Sequence, residues 1–311
     1  MTEQQRLGLI VMAYGTPRTP AEIEPYYTHI RRGRAATPEQ LADLISRYDA
    51  IGGISPLAQR TEAQRAAIES ALEERMPGRW MVVLGQKHAA PFIEDAVTEL
   101  AAAGITHAVG LVLAPHYSGF SVGEYQRRAA EAGAEAGVTM HSVMNWHLDP
   151  AYVDFLSAAV ADAQRGLPER HKILFTAHSL PERVLVDDPY PDELQQSATA
   201  VMDRIALGDG ASWGLGWQSA GRTPEPWRGP DILDIIREAG EDDGVDGVLV
   251  CAQGFTADHL EVLFDLDIEA TAVAEEVGLS FARTRSLNDD PNVMAALADL
   301  VIACAANDGV V

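Results

Sequence analysis

Short apolar segments alternate with longer segments of helical periodicity along the whole chain. The apolar segments have the length of β-strands, and the longer ones repeat apolar residues every three or four positions, as one helix face does. Strands that alternate with helices in this way are typical of βαβ units on parallel sheets. The pattern predicts strands at residues 7–14, 80–85, 107–115, 139–144, 172–178, 213–218, 245–251 and 279–283. It predicts helices at residues 62–76, 92–103, 123–136, 151–165, 193–205, 232–239, 261–276 and 293–306.

The predicted strands fall into two sets of four, which indicates an α/β fold with two similar halves. We place Rossmann-like domains at residues 1–150 and 151–311, each a four-stranded parallel sheet flanked by helices. Ligands of such sheets bind beyond the carboxyl ends of the strands. Tyr14, His178 and Trp217 stand at or near such ends. We therefore expect a ligand site there, in a cleft between the two domains.

Composition and charge narrow the classes of function. The 311 residues include 23 Lys and Arg against 46 Asp and Glu, a net charge of −23. A chain this acidic binds nucleic acid poorly and is repelled by anionic membranes. Its longest apolar run, residues 293–306, is shorter than the roughly 20 residues that span a bilayer. The polar N-terminus, and two cysteines (Cys251 and Cys304) that we expect to be reduced and buried, predict a cytoplasmic protein without a membrane anchor.

The segment AHSLPE places His178 at the end of a predicted strand, just before a proline turn. A free imidazole has a pKa of about 6.5, so a histidine can accept protons near neutral pH. His178 is therefore either a base in a site or a hydrogen-bonded loop residue, and its own segment leaves both interpretations open.

Acidic residues recur at nearly helical spacing in the segment TADHLEVLFDLDIEA. On an α-helix, the side chains of Asp258, Glu261, Asp265 and Glu269 would lie within one sector of the surface. Like charges at this spacing repel one another, whereas carboxylate oxygens are good ligands for divalent cations. The row is therefore either a cation site or path, or the solvated face of an acidic protein.

Two further features suggest a flat and anionic ligand. Trp213, Trp217 and Trp227 lie close together in sequence, and flat aromatic faces suit flat ligands; core packing is the alternative. Arg31 lies in the basic segment HIRRGR, and Arg47 follows it. Arginines either bind carboxylate ligands or form ion pairs with the protein's own surface. The sequence has no glycine-rich dinucleotide or phosphate loop, no GxSxG and no HExxH motif.

Long motifs over nearly the whole chain resemble the ferrochelatases, and among them the coproporphyrin ferrochelatases of Gram-positive bacteria. The resemblance is carried by LIVMAYGTP (9–17), YYTHIRRGR (26–34), RYDAIGGISPLAQ (47–59), KHAAPFIEDAV (87–97), LAPHYSGFSVGEY (113–125), AHSLPE (177–182), DPYPDEL (188–194), GWQSAGRTPEPWRGPD (216–231) and GFTADHLEVLFDLDIE (254–269). So many long motifs in one order make the resemblance highly specific.

The resemblance implies a chelatase-like pair of domains that inserts ferrous iron into coproporphyrin III, with loss of two pyrrole protons, to give coproheme in haem biosynthesis. His178 matches the family's essential histidine, and Glu261 matches the carboxylate that faces it. Both residues are expected to transfer protons and to bind iron. Tyr14 matches a tyrosine of the Gram-positive enzymes that can bind iron from the opposite face.

The resemblance also implies a porphyrin-binding set, to which we add Trp217 from the aromatic segment. That set comprises Tyr14, Arg31, Arg47, Tyr48, Ser55, Tyr125 and Trp217. Arg47, Asp265 and Glu269 match an outer cation site, which would take a divalent ion such as Mg²⁺. The arginines and Tyr14 favour coproporphyrin III, which carries four propionates, over protoporphyrin IX, which carries two.

Ferrous iron and coproporphyrin III are expected as substrates, with no tightly bound cofactor. Two cysteines cannot hold the 2Fe–2S cluster of many relatives, which takes four. We expect a monomer, with a coproheme decarboxylase acting downstream. Cys251 and Gln253 stand where the resemblance leads us to expect Pro and Val. The alternatives are a protoporphyrin IX ferrochelatase and a non-catalytic porphyrin-binding chaperone, which would need neither His178 nor Glu261.

Overall fold

The computed structural model describes residues 6–208, 210–221 and 223–310. These residues form two compact units. The first unit contains the chain up to Ala114, Gly119–Asn145 and the chain from Asn288 onward. The second unit contains Pro115–Ser118 and Trp146–Leu287. In the described part of the chain, no helix combines the length and the apolar composition needed to cross a membrane.

The first unit is built on a four-stranded parallel sheet with the strand order β2-β1-β3-β4. Its strands are β1 (Leu7–Ala13), β2 (Trp80–Gln86), β3 (His107–Val112) and β4 (Thr139–Val143). Every residue of β1 is buried, as expected for a central strand whose sheet is covered on both faces. The helices are α1 (Ile23–Ile30), α2 (Pro38–Ala50), α3 (Leu57–Arg75), α4 (Ile93–Ala102) and α5 (Val122–Ala136).

The second unit repeats this architecture with the strand order β6-β5-β7-β8, again all parallel. Its strands are β5 (His171–His178), β6 (Ser212–Gln218), β7 (Gly247–Cys251) and β8 (Ser280–Arg283). Its helices are α6 (Pro150–Ala163), α7 (Tyr190–Met202), α8 (Ile232–Gly240), a π-helix (Val262–Ala270) and α9 (Thr271–Glu276). Leu174, Val248 and Val250 of the sheet pack against Ile236 of α8 in a buried core.

The predicted fold class is confirmed, since the eight predicted strands form two four-stranded parallel sheets flanked by helices. Strand β3 ends at Val112 rather than at the predicted Pro115; Pro115 has no N–H to donate to a neighbouring strand, and it already belongs to the second unit. Helices α1 and α2 were not predicted.

The C-terminal helix α10 (Pro291–Asn307) belongs to the first unit, where it packs against α3 and β4. Arg75 of α3 forms two hydrogen bonds with the carboxylate of Asp299. The structure therefore differs from the predicted domain of residues 151–311, which included this helix. The apolar face of a helix shows that it covers a sheet, but the sequence does not say which of two similar sheets it covers.

The strand order reverses between the first and third strands of each sheet, that is, between β1 and β3 and between β5 and β7. In open parallel sheets this reversal opens a crevice at the carboxyl ends of the two strands, where ligands bind. Tyr14 follows β1, His178 ends β5, and the segment 252–261 follows β7.

Candidate active site

His178 and Glu261, the predicted catalytic pair, lie close together in the second unit. The Nδ1 atom of His178 donates a hydrogen bond to the carbonyl oxygen of Ser179, 2.5 Å away. Because a carbonyl oxygen only accepts, Nδ1 carries the proton and Nε2 of the neutral ring keeps a lone pair. That Nε2 atom lies 3.7 Å from Oε1 of Glu261, and about a third of each side chain is exposed.

A second histidine, which the sequence analysis missed, faces the same carboxylate. His259 donates through Nδ1 to the carbonyl oxygen of Ala257 at 3.0 Å, and its Nε2 atom lies 3.5 Å from Oε2 of Glu261. The carboxylate thus lies between two imidazole nitrogens that both keep lone pairs. The available signal was a histidine two residues before Glu261, in the segment that follows β7.

Gly254 allows the loop after β7 to pass close to the end of β5. Its N–H donates to the carbonyl oxygen of Thr176 at 3.0 Å. A Cβ atom at position 254 would lie only 2.5 Å from Cβ of Ala177, the residue before His178. The close approach therefore requires glycine, and it fixes the start of the segment that leads to Glu261.

Gln253, which stands where we expected Val, fixes the same loop to α7. The side chain is buried; its Nε2 atom donates to the carbonyl oxygen of Leu194 at 3.0 Å, and Oε1 accepts from the Ser197 hydroxyl at 2.9 Å. Tyr152 donates to its main-chain carbonyl oxygen. Nearby, burial raises the pKa of the Cys251 thiol to about 12. The two departures from the family pattern are thus accommodated inside the unit.

The acidic segment is not the single α-helix predicted over residues 261–276. It forms the π-helix Val262–Ala270, which then continues as α9. The i→i+5 hydrogen bonds of a π-helix give more than four residues a turn, so residues four apart stay near one face. Asp265 is buried and accepts a hydrogen bond from the hydroxyl of Ser219, whereas Glu269 is partly exposed.

Two members of the expected acidic and cation-binding sets have other partners. Asp258 lies before the helix and accepts from Arg283 at 3.3 Å and from Ser286 at 2.7 Å, so it is not part of a helical row. Arg47 lies in the first unit and forms an ion pair with Asp43 at 3.4 Å. Among the described residues, no three His, Cys, Asp or Glu side chains are grouped to hold a metal ion.

Trp217, a predicted porphyrin contact, is only 4% exposed. Its ring packs 5.9 Å from that of Tyr190, and the guanidinium of Arg228 lies 5.9 Å from its centroid. Tyr190 also donates to the main-chain carbonyl oxygen of His178 at 3.3 Å, and burial raises the pKa of its phenol. In this structure Trp217 therefore supports the end of β5 from within the core.

In the first unit, Tyr14 follows β1 and is 44% exposed. Its ring lies 4.6 Å from that of His88. Burial, then the charges of Lys87 and His29, lower the pKa of His88 to about 3, which keeps this imidazole neutral. Tyr125 is buried, with the ammonium of Lys87 5.2 Å from its ring centroid. Tyr14 is thus the accessible member of this aromatic group.

The other predicted porphyrin contacts of the first unit differ in exposure. Arg31 and Arg47 are partly exposed, and the guanidinium of Arg31 lies 5.4 Å from the ring centroid of Tyr27. Tyr48 and Ser55 are buried. The arginines can therefore reach a ligand directly, whereas Tyr48 and Ser55 are covered by other parts of the protein in this structure.

Solved structures share the fold. SirB from Bacillus subtilis with Fe³⁺ has a TM-score of 0.61 and 13% identity, covering 98% of this chain and 97% of that one. CbiX, the terminal enzyme for siroheme biosynthesis in denitrifying bacteria, has a TM-score of 0.55 and 17% identity, covering 95% and 98%. At these identities the likeness concerns the fold alone.

Curated relatives match at much higher identity. The coproporphyrin III ferrochelatase of Bacillus subtilis is 45% identical over 307 residues, 96% of this chain and 98% of that protein. That of Oceanobacillus iheyensis is 43% identical over 306 residues, covering 96% and 97%. The ferrochelatase family model matches residues 6–304. The chain therefore belongs to the ferrochelatase family.

Proposed function

We propose that this chain inserts ferrous iron into coproporphyrin III and releases coproheme, a step of haem biosynthesis. The observation that carries the proposal is the imidazole–carboxylate pair at the end of β5, with Nε2 of His178 3.7 Å from Oε1 of Glu261, in a chain of the ferrochelatase family. The choice of porphyrin is supported by relatives named coproporphyrin III ferrochelatase, which are 43–45% identical over 96% of this chain.

His178 is the proposed base for the two pyrrole protons that a free-base porphyrin must lose. Its Nδ1–H is held by the carbonyl oxygen of Ser179, so Nε2 is the atom that accepts a proton. The imidazolium that forms is stabilised by the nearby carboxylate of Glu261. A carboxylate with a second imidazole on its other oxygen, that of His259, can pass the proton onward.

Iron, the second substrate, must shed its hydration water before it enters the macrocycle. Imidazole nitrogens and a carboxylate can replace that water without holding iron as firmly as thiolates do. We propose that His178 and Glu261 present the iron, and that the exposed Tyr14 is a further iron ligand. The Cys251 thiol, with its pKa raised to about 12 by burial, stays protonated and does not compete.

Arg31 and Arg47 are the proposed contacts of the porphyrin propionates. Both guanidinium groups are partly exposed, in a chain whose net charge of −23 repels a polyanionic ligand elsewhere. Guanidinium groups bind carboxylates through paired hydrogen bonds. The buried Tyr48, Ser55, Tyr125 and Trp217 would act by supporting the contact residues.

Asp265 and Glu269 are the proposed ligands of an outer divalent cation such as Mg²⁺, because carboxylate oxygens suit a hard cation. A guanidinium is cationic and has no acceptor atom, so Arg47 would act there by hydrogen bonding to the carboxylates and not as a ligand of the cation. We further propose that the chain is a monomer in the cytoplasm and that a coproheme decarboxylase is the next enzyme.

The test is anaerobic insertion of Fe²⁺, followed by absorbance, with coproporphyrin III and protoporphyrin IX in parallel. We expect a preference for coproporphyrin III. His178→Ala and Glu261→Gln should lower the rate by at least about 100-fold while porphyrin binding, measured by fluorescence quenching, is retained. Glu182→Gln is the matched control, because Glu182 is a nearby carboxylate that pairs with Arg228 at 3.5 Å; this variant should insert iron normally.

Three other outcomes would each overturn a different part of the proposal. A preference for protoporphyrin IX would refute the choice of porphyrin while leaving chelation intact. Tight binding of one porphyrin without insertion would indicate a chaperone. Full turnover by His178→Ala would refute the proposed base.

A further inference from the structure

Two histidines of the first unit lie side by side on one face of its sheet, apart from the candidate active site. His107 begins β3, and His141 lies within β4. The parallel register pairs Val109 with His141. Because residues two apart on a strand share a face, His107 and His141 project from the same face of the sheet.

The side chains are arranged in a short chain that ends at a carboxylate. Nδ1 of His107 lies 3.3 Å from Nε2 of His141, and the ring planes are 18° apart. Nδ1 of His141 lies 2.7 Å from Oδ2 of Asp308, which follows α10. An ionised carboxylate only accepts, so Nδ1 of His141 carries the proton and Nε2 turns its lone pair toward His107.

This geometry also fits a shared cation. The nitrogen–nitrogen distance of 3.3 Å is at the long end for a hydrogen bond with an N–H donor, for which about 2.9–3.0 Å is usual. Two nitrogen ligands of a tetrahedral Zn²⁺, each about 2.0–2.1 Å from the metal, are about 3.3–3.4 Å apart. In addition, a histidine that binds a metal commonly donates its other N–H to a carboxylate, as His141 donates to Asp308.

We propose that Nδ1 of His107 and Nε2 of His141 bind a divalent transition-metal ion of the borderline class, such as Zn²⁺, with Asp308 orienting His141 from behind. Binding requires the tautomer of His107 that carries its proton on Nε2. Asp308 is about half exposed, so water can complete the coordination. Zn²⁺ binds nitrogen ligands more tightly than Fe²⁺ does, so the ion held here differs from the proposed substrate.

Calorimetric titration of Zn²⁺ into the untagged full-length chain tests the proposal. The chain would carry His178→Ala and Glu261→Gln, so that metal binding by the candidate active site is removed. A Zn²⁺ site that depends on His107 and His141 is expected to remain. No Zn²⁺ binding in this background would overturn the proposal.

Single substitutions in that background locate the site. His107→Gln and His141→Gln should each remove it, and Asp308→Asn should weaken it by about 10–100-fold. Asp299→Asn is the matched control, since it removes a carboxylate of α10 that pairs with Arg75 instead; affinity should not change. Unchanged Zn²⁺ affinity in both histidine variants would overturn the proposal.

Two further measurements separate loss of the site from loss of the fold or of activity. Zn²⁺ should raise the Tm of the background protein and leave the Tm of the folded His107→Gln variant unchanged. In the otherwise native chain, His107→Gln should insert iron at the normal rate. A loss of insertion would connect the pair to the active site and overturn the inference of a separate one.

Discussion

Replacing Gly254 with alanine should impair both stability and iron insertion. The added Cβ atom would lie 2.5 Å from Cβ and 2.8 Å from Cα of Ala177. Both atoms are fixed to the main chain of β5, so no flexible side chain can rotate away to relieve the contact. The main-chain hydrogen bond from Gly254 to Thr176, 3.0 Å long, also holds the loop in place. The loop or the end of β5 must therefore move.

The size of the effect follows from the position of the clash. Overpacking in a well-packed interior costs about 1–3 kcal/mol of the free energy of unfolding. Ala177 directly precedes His178, so the displacement reaches the pair formed with Glu261, whose nearest atoms are 3.7 Å apart. A misplacement of about 1 Å in such a pair lowers turnover by about 100-fold.

The assay combines urea unfolding with anaerobic iron insertion. Gly214→Ala is the control, because Gly214 also lies in the second sheet but a Cβ atom there would have nothing within 4 Å. We expect Gly214→Ala to change the free energy of unfolding by less than about 0.5 kcal/mol and to retain its kcat. Gly254→Ala should lose stability and kcat, while its affinity for porphyrin stays close to that of the native chain.

Equal unfolding midpoints and equal kcat values for the two glycine variants would refute this reasoning. They would mean that the loop after β7 has room to accept a methyl group, so that its close approach to Ala177 does not set the distance between His178 and Glu261.

Other perturbations test the buried network, the porphyrin contacts and the buried thiol. Gln253→Leu removes two buried hydrogen bonds and should lower the free energy of unfolding by about 1–3 kcal/mol for each partner left unsatisfied. A double-mutant cycle that combines Gln253→Leu with Ser197→Ala should give a coupling energy of about 0.5–3 kcal/mol. Additive effects of the two substitutions would contradict a hydrogen-bond network between these side chains. Arg31→Ala and Arg47→Ala should weaken coproporphyrin III more than protoporphyrin IX in fluorescence quenching; equal losses would argue against propionate contacts. Burial raises the pKa of Cys251 to about 12, so only the unfolded chain ionises this thiol as the pH rises above about 8.5. As the pH rises from about 8.5 to about 12, the free energy of unfolding of the native chain should therefore decrease relative to that of Cys251→Ala. A difference that stays constant with pH would be inconsistent with a buried thiol.

The strands could be predicted because a parallel strand covered on both faces is apolar throughout, as β1 is. Helix α1 has no apolar pattern that would predict it, because Ile23 is its only buried residue. Helix α2 has a recognisable start signal, a capping box in which the side chains of Thr37 and Gln40 each accept a hydrogen bond from the other's main-chain N–H. The membership of α10 in the first unit could not be predicted, because both sheets offer a helix the same kind of apolar face.

The sequence predicted His178 and Glu261 of the candidate site, but not how their side chains are oriented and protonated. The strand-end rule selected His178, and Glu261 follows the neighbouring strand β7, so the reversal of strand order brings them together. The protonation pattern has another source, namely the carbonyl oxygens of Ser179 and Ala257, each of which accepts from an Nδ1 atom. Main-chain acceptors leave no mark in the sequence, yet they turn both Nε2 lone pairs toward one carboxylate. The sequence could therefore suggest which groups carry protons and iron, whereas the atom that accepts each proton follows only from the folded backbone.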